Sequence, residues 1–217
     1  MSRAPRPDRP PLPRRFNLIR SFALADFITL SNAAAGTAAV FCCLAYIEKG
    51  FDDRYIAVAF GLLPLAFIAD AADGFVARWR QRSSPYGADL DSLADIVSFG
   101  VAPAVLGFTL GMRGLWDAVV LVYFVCCGIG RLARFNVSMA TLTDDSTGKV
   151  QYFEGTPIPT SLAVVLVLFI GWQAGAIGDG LWGGGYRLGP GMFHPLVLLY
   201  FLSGSLMISE RLRIPKP

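Results

Sequence analysis

The chain has 217 residues, of which 54% are hydrophobic and only 16% are charged, and its mean hydropathy is +0.51. Soluble domains carry about 25% charged residues, so this composition excludes an ordinary soluble protein and predicts an integral membrane protein. The formal net charge of +3 is too small to indicate a nucleic-acid partner, and we expect none.

The two ends of the chain are basic. Residues 1–22 form an arginine- and proline-rich arm that lacks the short apolar core of a signal peptide, and we expect this arm to lie in the cytoplasm. Residues 14–25 could also form an amphipathic helix at the membrane surface that leads into the first span. Residues 212–217 are predicted to be a short basic cytoplasmic tail, which leaves residues 23–211 as one membrane domain.

Six apolar stretches are long enough to cross about 30 Å of hydrocarbon. They lie at residues 24–47, 56–77, 91–112, 115–136, 157–177 and 192–209. The second and third contain aspartates, and the fourth contains Asp117 near one end and Arg131 and Arg134 near the other. No long linker or convincing internal repeat divides them. We therefore predict an all-α, six-helix transmembrane bundle.

Basic residues are unevenly distributed between the loops that these spans define. Fifteen of the 19 lysines and arginines lie in the N-terminal arm, in or next to the second and fourth loops, or at the C-terminal end. The remaining four are Lys49, Arg54, Arg113 and Arg187. Because cytoplasmic loops are enriched in Lys and Arg, both termini are predicted to be cytoplasmic, which requires an even number of spans. This basic surface would meet the anionic headgroups of membrane lipids.

Residues outside the acidic region give weaker signals. The four cysteines form two adjacent pairs, Cys42-Cys43 and Cys126-Cys127, inside predicted spans. They are expected to pack rather than to bind metal or act as nucleophiles. The single histidine, His194, is expected at the non-cytoplasmic membrane surface. The glycine-rich segment 178–191 is typical of a flexible connection.

Five aspartates lie within 26 residues of this apolar sequence, at Asp70, Asp73, Asp89, Asp91 and Asp95. An acidic side chain inside the membrane costs roughly 2.5 kcal/mol or more, so something must compensate these groups. At 100° per residue, Asp70 and Asp73 share one face of the second span. Asp91 and Asp95 share one face of the third, and Asp89 points away from them. Four carboxylates should therefore converge near the cytoplasmic ends of two antiparallel helices.

Divalent cations are the expected partners of these carboxylates, because like charges so close together cannot all ionise alone. Mg²⁺ combines carboxylates with substrate phosphate oxygens, and two ions about 3.5–4 Å apart form a two-metal site. Gly74 and Ala77 leave room for a ligand beside the helix, and Arg78 suits a phosphate or nucleotide. Arginine-paired structural aspartates are one alternative. A divalent-cation transporter is another, although its acids would more naturally lie at mid-membrane on broken helices.

The acidic residues form the pattern D-x2-D-G-x2-A-R-x8-G-x3-D-x3-D between Asp70 and Asp95. This pattern resembles the signature of the CDP-alcohol phosphotransferase family, whose members transfer a phosphatidyl or related group from a CDP-linked donor to an alcohol in the membrane. Residues 91–103, 130–136 and 152–159 resemble the phosphatidylserine synthase branch of that family. With Asn32 in the first span, the resemblance extends over most of the chain, and the family's six-helix count agrees with the count above.

The resemblance implies a role for individual residues. Asp70, Asp73 and Asp91 would ligate a pair of divalent ions, either Mg²⁺ or Mn²⁺. Asp95 would ligate the second ion and act with Asp91 in catalysis, as the general base on the acceptor hydroxyl. The residues that would bind the cytidine diphosphate are Asn32, Gly74, Ala77, Arg78 and Gly87.

The reaction that the resemblance implies is transfer of the phosphatidyl group of CDP-diacylglycerol to L-serine, with release of CMP. Arg131, Arg134 and Asn136 would bind the serine, although Arg131 could serve only as a positive anchor at the membrane surface. Glycerol phosphate, inositol phosphate and choline remain open as acceptors. The catalytic domain, residues 23–211, would lie in the inner (cytoplasmic) membrane with its site facing the cytoplasm. We also expect a homodimer, because twofold homo-oligomers are the most common.

Overall fold

Four long helical runs dominate the computed structural model, which describes residues 24–80, 87–142, 152–209 and 213–215. They are α1 (Leu24–Glu48), α2 (Asp53–Arg80), a third run made of α3 (Gly87–Asp95), a π-helix (Ile96–Val101) and α4 (Ala102–Leu110), and α5 (Leu115–Leu142). Each run contains an apolar window long enough to cross a membrane. The prediction of a helical integral membrane protein is therefore confirmed, whereas the predicted arm of residues 1–22 lies outside the described residues.

The third run is the central one, because it is the most buried of the four. It packs against α1, which also lies along α2 over most of its length. The π-helix within it begins directly after Asp95, and the backbone N–H of Ala102 donates to Val97 five residues back. The next residue, Pro103, has no N–H to offer and its ring would crowd the carbonyl of a regular turn. The wider π turn accommodates this proline at the start of α4.

Two further apolar helices are shorter than the predicted spans at 157–177 and 192–209. One consists of a 3₁₀ turn (Ile158–Ser161) followed by α6 (Leu162–Gln173), and the other of a 3₁₀ turn (Pro195–Val197) followed by α7 (Leu198–Ile208). At 1.5 Å per residue they extend only about 24 Å and 21 Å. The count of six spans and the cytoplasmic location of both termini therefore stay predictions.

The glycine-rich connection between α6 and α7 is partly ordered, contrary to the expectation of a flexible loop. In it, β2 (Tyr186–Leu188) pairs antiparallel with β3 (Gly191–Phe193). A second antiparallel pair joins β1 (Tyr152–Glu154) to β4 (Arg213–Pro215). These short strands add to an otherwise helical fold. The hairpin ends beside His194 and so brings that residue to the start of α5.

Asp117 and His194 form a buried polar contact at the end of the bundle where α5 begins. Asp117 is fully buried, and its carboxylate lies 2.5 Å from Nδ1 of His194. The carboxylate also accepts hydrogen bonds from the backbone N–H groups of His194 (2.8 Å) and Gly114 (2.9 Å). His194 is thus a structural partner of Asp117, which its sequence context did not indicate.

We expect His194→Ala to destabilise the protein without altering the chemistry at the opposite end of the bundle. A buried carboxylate that loses a side-chain partner costs about 1–3 kcal/mol, which corresponds to a fall in melting temperature of roughly 5 °C. Thermal unfolding in detergent micelles measures this effect, with Asp179→Ala, an exposed acid of the same connection, as the control. Equal melting temperatures for the two variants would show that the contact contributes nothing.

Candidate active site

Three aspartates from two helices meet at one end of the bundle. One carboxylate oxygen from each of Asp70 on α2 and Asp91 and Asp95 on α3 lies within 4.8 Å of the other two. Asp70 and Asp91 are half-buried and Asp95 is buried. We call these three residues the carboxylate cluster. The exposed Asp89 is not among them, as its helical angle predicted.

Asp73, the fourth predicted ligand, lies outside the carboxylate cluster and is directed towards α1. Its Oδ2 is 2.5 Å from the hydroxyl oxygen of Thr29, and both residues are buried. The Thr29 oxygen is also 3.1 Å from the backbone carbonyl of Ala25. A hydroxyl has one proton, and the shorter contact with the charged acceptor is the stronger hydrogen bond. One oxygen of Asp73 therefore accepts a hydrogen bond from Thr29.

Asn32 contacts the carboxylate cluster from α1. Its side-chain amide donates a long hydrogen bond of 3.4 Å to Oδ1 of Asp95, and its backbone carbonyl accepts one of 2.9 Å from Ser98. Asn32 is fully buried, and its Oδ1 has no hydrogen-bond partner among the described residues. A buried oxygen without a donor is costly, so this atom is suited to a cation or to a donor on a ligand.

The donor set fits a divalent metal. The candidate ligand atoms that meet here are carboxylate oxygens of Asp70, Asp91 and Asp95, and the unpartnered amide oxygen of Asn32 lies on the residue that contacts Asp95. Hard cations such as Mg²⁺ prefer oxygen ligands, whereas nitrogen and sulfur ligands would indicate softer metals. The carboxylate cluster could therefore hold a metal ion.

Apart from Asn32 on α1, the residues predicted to bind nucleotide belong to the end of α2 and the start of α3. Gly74 follows Asp73 on α2, and Gly87 is the first residue of α3; both are half-buried. Ala77 and Arg78 belong to the end of α2, and their side chains lie outside the described part of the structure. The structure thus brings both glycines to the same end of the bundle as the carboxylate cluster.

The residues predicted to bind serine lie on α5. Arg131 is half-buried and close enough to Asp95 for their charges to interact, and its Nε is buried without a hydrogen-bond partner among the described residues. Arg134 lies almost one turn further on and is also half-buried. Asn136 instead exchanges hydrogen bonds of 3.0 and 3.2 Å with Ser92 on α3. The structure therefore places Arg131 towards the carboxylate cluster and ties Asn136 to the helix that carries it.

Sequence reasoning assigned no role to three residues of α1 and the π-helix that contact this region, although it placed Ser98 on the same helix face as Asp91 and Asp95. Thr29 and Ser98 hold Asp73 and Asn32, respectively, and Asp26 is a further buried acid at the start of α1. A pattern in the sequence could have indicated the polar face of α1. Asp26, Thr29 and Asn32 are polar residues at intervals of three in an apolar helix, and so occupy one face.

Residues 22–199 match the family model described as CDP-alcohol phosphatidyltransferase. The chain is 45% identical over 204 residues to the CDP-diacylglycerol–serine O-phosphatidyltransferase of Saccharomyces cerevisiae, covering 93% of this chain and 74% of the yeast protein. It is 33% identical over 154 residues to the Methanocaldococcus jannaschii protein of the same name, covering 71% of this chain and 63% of that protein. It is 34% identical over 156 residues to the archaetidylserine synthase of Methanothermobacter thermautotrophicus, covering 70% of this chain and 60% of that protein.

The resemblance noted in the acidic pattern is thereby confirmed over most of the chain. Members of this family generally depend on a divalent metal, which agrees with the oxygen-rich donor set of the carboxylate cluster. With a family match that includes α1 to α6 and the start of α7, the chain belongs to the CDP-alcohol phosphatidyltransferase family.

Proposed function

We propose that this protein transfers the phosphatidyl group of CDP-diacylglycerol to the hydroxyl of L-serine and releases phosphatidylserine and CMP. The observation that carries the proposal is the convergence of Asp70, Asp91 and Asp95 within 4.8 Å on two helices of a family member. The choice of serine is supported by the names of the three relatives described above, two of which are CDP-diacylglycerol–serine O-phosphatidyltransferases and one an archaetidylserine synthase.

Two divalent ions, Mg²⁺ or Mn²⁺, are proposed to bind the four aspartates of the family pattern. Asp70, Asp91 and Asp95 would hold them from the carboxylate cluster, and Asp73 would contribute the oxygen that Thr29 does not occupy. When bound, such ions neutralise the diphosphate and the charge that develops on the departing CMP. The cationic charge would also relieve the repulsion between the aspartates.

Asp95 is proposed as the general base. A serine hydroxyl is a weak nucleophile at neutral pH and needs a positioned base to take its proton. Asn32 donates a hydrogen bond to Oδ1 of Asp95, which orients this carboxylate from the side of α1. In the proposed step, serine Oγ forms a bond to the phosphorus of the phosphatidyl group while the bond from that phosphorus to the CMP oxygen breaks. Release of CMP in the absence of any acceptor would contradict this direct transfer.

The nucleotide is proposed to lie beside the α2–α3 loop, bordered by Gly74, Ala77, Arg78 and Gly87. Residues without large side chains allow a ligand to approach the helix backbone, and an arginine can pair with a phosphate through two parallel hydrogen bonds. The support for Ala77 and Arg78 is the sequence pattern. For Asn32, the described side-chain partner is Asp95, so that its contact with the nucleotide stays a prediction.

Arg131 and Arg134, with Asn136, are proposed to receive the acceptor. Free serine has a carboxylate that needs a cationic partner, and an arginine fork matches its geometry. Arg131 supports this assignment best, because its buried Nε has no partner among the described residues and its charge lies near that of Asp95. A serine held there would present its hydroxyl towards the proposed base.

We expect Arg131→Ala to raise the KM for serine at least about tenfold, since a charge-assisted hydrogen bond contributes about 1.5–3 kcal/mol. The KM for CDP-diacylglycerol should change little. Arg54→Ala is the matched control, because Arg54 is exposed at the start of α2, far from the carboxylate cluster. Steady-state kinetics with each substrate varied in turn separate these effects. Equal losses for both substrates would contradict a role in serine binding.

The proposed topology places this site at the cytoplasmic side of the inner membrane. Six spans with both termini in the cytoplasm would put the α2–α3 loop, and the arginines at the end of α2, on the side where serine and CMP are soluble. Residues 23–211 would then form the catalytic domain, between the basic arm of residues 1–22 and the tail of residues 212–217. A homodimer is proposed only from the general frequency of twofold assemblies.

The proposed function is tested by CMP release from CDP-diacylglycerol by the purified protein, with each candidate alcohol in turn. We expect release with L-serine, dependence on Mg²⁺ or Mn²⁺, and loss of activity with a chelator. Faster release with glycerol phosphate, inositol phosphate or choline would keep the chemistry and replace the acceptor. Activity that survives chelation would contradict the metal site, and divalent-cation transport without CMP release would replace the whole proposal.

A further inference from the structure

The first helix contains none of the eight positions of the acidic pattern, yet it contacts two of its carboxylates. Thr29 lies 2.5 Å from Asp73 on α2, and Asn32, almost one turn further along α1, lies 3.4 Å from Asp95 on α3. Residues three apart share one face of a helix. A single face of α1 thus holds one carboxylate on each of two different helices.

The position of α1 along the third run is fixed by a close contact at the next turn. Gly36 lies against Ser98 so tightly that a Cβ at Gly36 would approach the Cα of Ser98 to 2.7 Å. The Ser98 hydroxyl donates to the backbone carbonyl of Asn32, and both residues are fully buried. Ser98 belongs to the π-helix that begins directly after Asp95. A shift of α1 by one turn would therefore break the contacts of Asn32 and Gly36 together.

We propose that Thr29 and Asn32 are positioning residues for the metal-binding carboxylates. Thr29 occupies one oxygen of Asp73, and Asn32 occupies one oxygen of Asp95, so that the remaining oxygens point in fixed directions. Groups that hold ligands in this way raise metal affinity because the ligands do not have to reorganise on binding. The inference rests on the proposed metal site, although it does not depend on which alcohol is the acceptor.

The chain offers a matched control for Thr29 on the same helix. Thr37 is a threonine of α1 whose hydroxyl donates to the backbone carbonyl of Ala33 at 2.8 Å on an exposed face. Threonine and valine have nearly the same shape, so each Thr→Val change removes one hydroxyl with little change in packing. A difference between the two variants therefore reports the contact with Asp73 rather than a general effect on α1.

The test is Mn²⁺ binding to the purified protein in micelles without substrate, followed by electron paramagnetic resonance. We expect Thr29→Val and Asn32→Leu to weaken Mn²⁺ binding about 10–100-fold, the usual effect of losing a group that orients a metal ligand. Thr29→Ser, which keeps the hydroxyl, should restore the wild-type affinity. Thr37→Val should bind Mn²⁺ as the wild type does. Melting temperatures measured in parallel identify any variant that fails to fold.

The possible results are distinguishable. If the wild type binds Mn²⁺ and Thr29→Val binds it equally well, the positioning role is contradicted while the proposed function stands. An equal loss in Thr37→Val and Thr29→Val would contradict it too, because the effect would then belong to the helix as a whole. A wild type that binds no Mn²⁺ would contradict both the proposed metal site and the inference that rests on it.

Discussion

Replacing Asp95 with asparagine is expected to reduce phosphatidyl transfer by at least about 10³-fold, since general-base catalysis alone contributes about 10²–10⁴-fold. Asparagine has nearly the same shape but cannot accept the proton of the serine hydroxyl, and it offers a weaker ligand to a divalent ion. Asp95 is buried within 4.8 Å of Asp70 and Asp91, so that no bulk water can readily take its place. CMP release at saturating CDP-diacylglycerol and serine measures the loss.

Asp89→Asn is the control for this prediction. Asp89 lies on α3 as well, less than two turns before Asp95, but it is exposed and outside the carboxylate cluster. The Asp89→Asn substitution removes one negative charge from the same helix, and we expect this variant to have wild-type activity. A loss in Asp89→Asn equal to that in Asp95→Asn would mean that the overall charge of α3 matters rather than the base. Substantial activity in Asp95→Asn would assign the base elsewhere.

The convergence of Asp70 with Asp91 and Asp95 could be predicted from the sequence, because two simple rules determine it. Helical periodicity places the aspartates on defined faces, and the short connection between α2 and α3 brings the end of one helix and the start of the next to the same end of the bundle. The helix that packs against both of them is α1. The location of Thr29 beside Asp73 follows from neither rule. The two residues are 44 positions apart, and only the packing of α1 against α2 brings them together.

The pairing of Asp117 with His194 was unpredictable for a related reason. Each residue taken alone has an ordinary place near a membrane boundary, and 77 positions separate them. The β2–β3 hairpin, which brings His194 to α5, lies in a glycine-rich segment that shows no strand periodicity.

The lengths of α6 and α7 also could not be predicted from apolar composition alone, because local backbone conformation determines where a helix ends. Apolar composition continues past Gln173, but Gly175 adopts a φ of 71°, a left-handed conformation that is typical of a helix end.

Asp91→Asn is expected to have opposite effects on function and on stability. At an effective dielectric constant of about 20, two ionised carboxylates whose oxygens lie within 4.8 Å of each other repel by on the order of 3 kcal/mol. Removing one charge from the carboxylate cluster should therefore raise the melting temperature of the metal-free protein. The same change removes a proposed metal ligand, so we expect transfer to fall by about 10³-fold or more, as for other losses of transition-state charge stabilisation.

Thermal unfolding with chelator and with excess Mn²⁺ separates these two effects of Asp91→Asn. A ligand present at about 100 times its Kd stabilises the folded state by about 2.7 kcal/mol, so Mn²⁺ should raise the melting temperature of the wild type and of Asp89→Asn. It should leave that of Asp91→Asn nearly unchanged. Asp91→Asn is expected to have the higher melting temperature without metal. Adding Mn²⁺ should therefore narrow or reverse the difference in melting temperature between the variant and the wild type. A variant that is less stable than the wild type under chelation would show that Asp91 is held by structural contacts. The repulsion on which the metal assignment depends would then be absent.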